Sequence, residues 1–469
     1  MSGLNTPRLK VSRWLEIDRA VFFAVIGKVW SLPAGLITAL LIAAFFSPEL
    51  QGYYYTFSSV LALQVFAELG LGTVITYYAS HEWAKLALDK HGRVTGDADA
   101  LSRLTSLARF ALKWYLAAGA AITFVLAIGG FVFFAAAGAQ AFSWKVPWIA
   151  LCVVTGLTLC MMPIWALLEG CNQVSSVYTY RFVQSVALSV AVWAAIYWGA
   201  GLWVASISGI AGLVVTVILI GRRHGALIRT ILLTKPAGPR LQWRADMLPT
   251  QWRIALSWIS GYFVFSLFTP VLFHYQGPTV AGQMGMTWAL VNASMAVASG
   301  WVTPKAPRFG ILIAQQKYAE LDRLFWRLTA IVFAVTGVGA LAVWTLVFGL
   351  NQLDHPFAAR LLTPASTGYL LLATIIMSAS LPMSTYLRAH KKEPLLALQL
   401  IIGLLTGIAV VVLGKHYSAE GVAIGYLAVT AIVTPFIALV WHRRRAEWHA
   451  DAASDSPLKT STLKATGHQ

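Results

Sequence analysis

A stretch of about 20 apolar residues, enough to cross the hydrocarbon core of a bilayer as a helix, recurs along this chain with little sequence between one stretch and the next. The runs cover residues 20–46, 53–79, 111–137, 147–168, 182–199, 202–221, 254–275, 280–303, 328–350, 369–387, 395–413 and 422–441. Only 11% of the 469 residues are charged while 58% are hydrophobic; a water-soluble domain carries about 25% charged residues. A chain so poor in charge cannot cover a water-facing surface, so its solvent is lipid. The runs lack the period-2 alternation of barrel strands, and a helix satisfies its own backbone groups in lipid. The expectation is an all-α polytopic membrane protein with about twelve transmembrane helices. The least marked boundary is Gly199–Gly201, where one long apolar stretch must be divided into two short spans.

Lys and Arg set the orientation. Alternating the connections from an inside N-terminus places 31 of the 35 basic residues on one side and leaves Lys145, Arg360 and Lys415 on the other, with Lys28 inside the first span. That asymmetry is what the positive-inside rule requires, and removing one span would destroy it. Both termini are therefore expected in the cytoplasm. The net charge of +17 lies in short loops beside an anionic leaflet, so membrane lipids rather than nucleic acid are the expected partner. The first run is too long for a signal peptide and lacks a small-x-small cleavage site, which marks it as retained.

Motifs for chemistry are missing. His81-Glu82 begins like a zinc helix, but the fifth position is Lys85, and no Walker A sequence occurs. Cys152, Cys160 and Cys171 lack CxxC spacing. No catalytic residue, metal or cofactor is expected, and the chain reads as a transporter rather than an enzyme.

The domain organisation expected is a cytoplasmic segment 1–19, a first six-helix lobe 20–221, a basic cytoplasmic linker 222–253, a second six-helix lobe 254–441 and a polar cytoplasmic tail 442–469. The lobes share weak self-similarity. Gly52 and Gly70, which bracket the second span, match Gly282 and Gly300 at the same offset in the eighth, and Pro163 before Glu169-Gly170 matches Pro382 before Arg388-Ala389. Such parallel repeats are related by a pseudo-two-fold axis along the membrane normal, and transporters of this build place substrate between the halves.

Charge at membrane depth is the signal for a site. Lys28 and Glu68 fall at comparable depth on consecutive spans, and a charge near the bilayer centre costs at least about 2.5–3.5 kcal/mol. Gln64, Glu68 and Gly72 recur at i, i+4 and i+8, one stripe of a continuous helix. Two readings stay open: a cavity-lining Lys–Glu pair that binds a charged substrate or exchanges a proton, and a structural ion pair that fixes helix packing. Trp288, Asn292, Met295 and Ser299 share a face of the eighth span, and Arg181, Gln184, Ser185 and Ser189 share one of the fifth. Interhelical hydrogen bonding explains such stripes equally well. Arg181 and Arg388 sit at cytoplasmic helix ends, where snorkelling also accounts for them.

The segment Gln51-Gly52-Tyr53-Tyr54-Tyr55-Thr56-Phe57, continued by Glu68-Leu69-Gly70-Leu71-Gly72 and His81-Glu82-Trp83-Ala84, resembles the bacterial oligosaccharide flippases of the Wzx type. These belong to the multidrug/oligosaccharidyl-lipid/polysaccharide exporter superfamily. The resemblance implies two six-helix lobes around a cavity with basic lining. It also implies movement of an undecaprenyl-diphosphate-linked oligosaccharide across the bacterial inner membrane for polysaccharide or O-antigen assembly, with a polysaccharide polymerase and a chain-length regulator as partners. Lys28 matches the basic cavity, helped by Arg181 and Arg388; Glu68, Gln64 and Asn292 complete the candidate substrate-binding set. A drug/cation antiporter of the same superfamily would favour acidic cavity residues, and Glu68 keeps that alternative open. A membrane polysaccharide polymerase would need a large outside loop, whereas the longest here covers only about residues 350–368.

Overall fold

A computed structural model of the chain describes residues 19–89, 94–136, 143–234, 237–390 and 394–454. The N-terminal segment up to residue 18 and the tail from residue 455 lie outside the described residues.

The expected all-helical membrane fold is what forms. The first span is α1 (Arg19–Phe45). The second is built from α2 (Pro48–Leu61), a 3-10 turn, the short α3 (Val65–Glu68) and α4 (Leu71–Trp83). Then follow α5 (Ala98–Ala136), α6 (Lys145–Gly170), α7 (Val174–Tyr197) and α8 (Trp203–Leu233). The seventh span is α9 (Leu248–Phe265) with α10 (Phe268–Gln276), and the eighth is α11 (Pro278–Val302). After the short α12 (Ala306–Ala314) come α13 (Tyr318–Gln352), α14 (Pro364–Ser378), α15 (Ser380–Ala389) and α16 (Leu396–Ser454).

Among the described residues eight helices are long and apolar enough to cross a membrane, and up to ten when each of two bent pairs is taken as one span. At 59 residues, α16 would be about 90 Å long if straight, three times the hydrocarbon thickness. It is broken at Tyr417 and Ser418, where φ reaches 56° at the serine. A Cβ on Gly425 would lie 3.2 Å from the Ala409 Cβ, and one on Gly421 2.6 Å from the Leu413 carbonyl oxygen. The chain therefore doubles back as two spans. With α16 counted as two, the described residues hold up to eleven candidate spans, and α11 occupies the remaining hydropathy run at 280–303. Gly199 and Gly201, at φ 72° and 55°, make the tight turn between α7 and α8 at the boundary where the sequence divides one long apolar stretch.

Two features depart from expectation. The connection between the second and third spans contains a two-stranded antiparallel hairpin, β1 (Leu86–Leu88) and β2 (Val94–Gly96), with Ala87 opposite Thr95. The second span is not one helix: its two parts meet at a 44° bend, where Leu69 (φ 49°) and Gly70 (φ 65°) are both left-handed. For leucine that conformation costs roughly 1–2 kcal/mol. The repeat does not carry this break across, because Gly300, the counterpart of Gly70, lies inside unbroken α11.

Contacts sort the chain into two compact units, residues 1–286 with 359–361, and residues 287–358 with 362–469. In the first unit α1 packs along α7, where Trp30 donates to the Ser189 hydroxyl at 3.4 Å and Trp193 to the Thr38 hydroxyl at 3.0 Å. The end away from the Lys- and Arg-rich connections is filled by Tyr53, Phe57, Phe134, Trp148 and Phe273, all at most 2% exposed. Their ring centroids lie 4.9–5.4 Å apart for the closest pairs, in tilted and edge-on arrangements. Gly52 lets α2 cross the start of α11, since a Cβ there would stand 1.9 Å from the Pro278 carbonyl oxygen. Gln51 beside it donates to the carbonyls of Gly282 at 2.9 Å and Arg360 at 3.1 Å. The Gln51-Gly52 part of the motif thus serves helix crossing.

In the second unit Phe325 stacks on Trp441 at 4.4 Å. Arg445 binds Asp322 through two guanidinium nitrogens, which ties the end of α16 to the start of α13.

Candidate functional site

Two helical stripes build the site. On α4, Thr73, Thr76, Tyr77 and Ser80 follow the i, i+3, i+4, i+7 spacing of one face. On α6, Met162, Trp165, Ala166 and Glu169 do the same. The two faces line one cleft of about 560 Å³ in the first unit, completed by Glu68, Gly72, Arg181 and Trp258. The volume lies within the roughly 300–1,000 Å³ of pockets that hold small organic ligands.

Small residues bring these helices together, as expected where helix association in lipid depends on close packing. A Cβ on Gly170 would meet the Ala79 Cβ at 2.5 Å and the Thr76 carbonyl oxygen at 2.8 Å. The Thr76 hydroxyl donates to the carbonyls of Gly72 at 3.1 Å and Ala166 at 3.2 Å. Ser80 donates to the Tyr77 carbonyl at 2.7 Å. Both hydroxyl protons are spent on backbone, so each oxygen has lone pairs left to accept.

Glu68 sits where the second span breaks. From there α4 runs 13 residues to the Lys- and Arg-rich end, about 20 Å at 1.5 Å per residue. Irregular backbone at such depth is tolerated where it is buried in protein or lines a cavity, and here the cleft begins at the break. Gly72 leaves room for two functional groups: a Cβ there would be 3.4 Å from the Glu68 carboxylate and 3.5 Å from the Tyr115 hydroxyl. Gly72 therefore still faces Glu68, but across a bend rather than along one straight helix.

Arg181, in the third turn of α7, donates to the Glu169 carboxylate at 2.9 Å and lies over the Trp165 ring at 5.7 Å. The hairpin between α6 and α7 places these residues face to face, so the pair is local in sequence as well as in space.

The sequence-derived candidates separate accordingly. Glu68 and Arg181 come together in the cleft. Lys28 does not line it: it is exposed on α1, and among the described residues no ion pair joins it to Glu68. The supposed neighbours diverge because α1 packs chiefly on α7. Gln64 is half-buried in the 3-10 turn before the break. Asn292 is half-buried on α11 and Arg388 is exposed near the end of α15, both in the second unit. The polar stripe of α7 divides, with Gln184 donating to the Thr216 hydroxyl at 2.9 Å and Ser189 accepting from Trp30. Those two residues serve interhelical hydrogen bonding. Glu82 forms an ion pair with Arg103 at 2.9 Å, which fixes the end of α4 to α5.

Sequence reasoning missed Glu169, Trp165 and Trp258. The first two share the α6 face at i, i+4 and were legible as a polar-aromatic stripe near the helix end. Trp258, on α9, carries no such signal. Among the described residues no cluster of His, Cys, Asp or Glu is suited to a metal ion, and the three cysteines are free thiols.

A polytopic bundle with broken spans and a cleft opening at one of the breaks is the architecture of a multi-pass membrane protein. No protein-family model matches the chain, and no curated protein matches it. Among solved structures it is similar to the lipid II flippase MurJ in an inward closed conformation, with TM-score 0.66 and 13% identity over 96% of this chain and 93% of that one. It is also similar to a MATE protein in a bent conformation, with TM-score 0.57 and 15% identity over 95% and 99%. An outward-facing multidrug resistance MATE family transporter of the MOP superfamily gives TM-score 0.55 and 13% identity over 94% and 98%. The fold of this chain is therefore the one shared by these three structures.

Proposed function

We propose that this chain is a flippase that moves an undecaprenyl-diphosphate-linked oligosaccharide across the bacterial inner membrane for polysaccharide or O-antigen assembly. The observation that carries the reading is the cleft itself. A cleft of about 560 Å³, in which Glu68, Glu169, Arg181 and threonine and serine hydroxyls stand among apolar side chains, starts at the break of the second span and extends toward the Lys- and Arg-rich helix ends. A lipid-linked sugar needs such a path for its headgroup, while its tail stays in the bilayer. The MurJ-like fold supports the reading, and no enzymatic step is part of it.

In this proposal both termini are cytoplasmic and transport runs toward the periplasmic leaflet. Reporter fusions after Gly349 and after Lys392 are expected to report opposite sides; equal signals would overturn the orientation. Lys28, outside the cleft, supplies a cationic contact to the diphosphate, and Glu68 and Arg181 line the path of the headgroup. In proteoliposomes containing a fluorescent undecaprenyl-diphosphate sugar, the wild-type chain is expected to expose the sugar to an impermeant quencher. Lys28→Ala is expected to abolish this at normal abundance, with Lys28→Arg retaining most of it. Unchanged flipping in Lys28→Ala removes that residue from the site. No flipping by the wild type removes the whole reading.

A second reading, export of an organic cation, is favoured by the two carboxylates against one guanidinium in the cleft. The same vesicles loaded with ethidium decide between the two: protein-dependent ethidium movement without sugar movement supports the exporter.

A further inference from the structure

We infer that the cleft of the first unit receives the sugar of the lipid-linked substrate and not its diphosphate, and that this sugar is uncharged or amino-bearing. The inference rests on the flippase reading and assigns one part of the substrate to one set of residues.

Charge gives the first argument. The Arg181 guanidinium is already committed to Glu169 at 2.9 Å and to the Trp165 face. The Glu68 carboxylate has no ion-pair partner within 4.0 Å among the described residues. A diphosphate entering here would meet uncompensated negative charge in a low-dielectric setting, where repulsion is strongly felt. A uronic acid would meet the same barrier, whereas a hydroxyl or an ammonium group would not.

Hydrogen-bond polarity gives the second. Sugars are rich in O–H donors. The cleft is rich in acceptors: the Glu68 carboxylate accepts only, and the Thr76 and Ser80 oxygens have spent their protons on backbone carbonyls. Unpaired acceptors at membrane depth are costly, and a ring of hydroxyls satisfies several at once.

Aromatic faces give the third. Trp258 on α9 is 39% exposed and Tyr77 on α4 is 58% exposed, so two rings from separate helices present open surface at the cleft. Trp165, at 6% exposed, is packed beneath Arg181 and serves as wall. The C–H face of a pyranose fits an open indole or phenol ring, while its edge hydroxyls reach carboxylate and hydroxyl acceptors. Trp258 is the principal platform in this arrangement and Glu68 the principal acceptor.

The test compares three probes on the purified full chain: bare undecaprenyl diphosphate, the same lipid bearing N-acetylglucosamine, and the same lipid bearing glucuronate. The N-acetylglucosamine lipid is expected to bind at least about tenfold more tightly than either other probe. Trp258→Ala is expected to reduce that preference to under about threefold, without weakening the bare lipid. Trp258→Phe, which keeps a ring, should preserve most of it and guards against a folding artefact. Equal binding of the three probes overturns the sugar site and leaves the flippase reading intact. So does a preference that survives in Trp258→Ala. If no probe binds, the flippase reading fails and the sugar site falls with it. If tetraphenylphosphonium binds in a Trp258-dependent way and the sugar lipid does not, the cleft is an organic-cation site and the inference is wrong.

Discussion

Gly52→Ala is expected to destabilise the folded protein by about 3 kcal/mol or more, the upper end of overpacking effects, and to cut the yield of monodisperse protein severely. The methyl group would stand 1.9 Å from the Pro278 carbonyl oxygen and 2.5 Å from its carbonyl carbon. These are backbone atoms, so no rotamer change can relieve the overlap and α2 must move away from α11. Gly282→Ala attacks the same crossing from the other side, with its Cβ 2.8 Å from the Gly52 nitrogen. The double variant should therefore cost less than the two single losses added, because both damage one contact. Gly35→Ala in α1 is the control: nothing lies within 4 Å of its added Cβ, and alanine in a helix is favoured over glycine by roughly 0.5–1 kcal/mol. Thermal unfolding followed by size-exclusion chromatography checks the series. A Gly52→Ala protein that melts with the wild type would refute the crossing.

Arg181→Ala is expected to leave a folded protein whose transport falls by about tenfold or more. The Arg181 and Glu169 side chains are 47% and 24% exposed, so solvent screens their attraction and the direct loss of stability stays near 1 kcal/mol or below. The functional loss is larger for a different reason. Truncation leaves Glu169 beside Glu68 with no compensating cation in the cleft, and an uncompensated charge is what makes a broken pair harmful. Removing both charges in Arg181→Ala/Glu169→Ala is then expected to restore stability but not transport. Arg181→Lys should rescue only in part, since a single ammonium cannot reproduce the planar guanidinium over Trp165 together with its contact to Glu169. The readouts are melting temperature and flipping rate on the same preparation. Transport at wild-type rate in Arg181→Ala would show that the pair is a surface contact without a role in the cleft.

The sequence by itself determined the solvent, the number of crossings and most helix ends. Each follows from a local quantity: the transfer free energy of some 20 consecutive side chains, or the positive φ that Gly199 and Gly201 alone tolerate cheaply in their turn. It also exposed the charge at depth, because a carboxylate such as Glu68 is conspicuous in an apolar run. Glu169 opposite Arg181 was within reach of the same reasoning, since a short hairpin joins their helices. What it could not determine was which helices touch. Lys28 was matched to Glu68 because their spans are consecutive, yet α1 packs chiefly on α7. Lipid is as apolar as leucine, so hydropathy offers no preference among neighbours; close approach at small residues such as Gly52 and Gly170 makes the choice instead. The left-handed Leu69 was equally hidden. Its conformation runs against leucine's own preference and persists because the surrounding packing holds it, with Gly70 set close against Ile254. Trp258 joins Glu68 and Arg181 only through packing across nearly 200 residues of chain. The cleft is thus a property of the tertiary structure, assembled from residues whose individual chemistry the sequence displayed and whose meeting it did not.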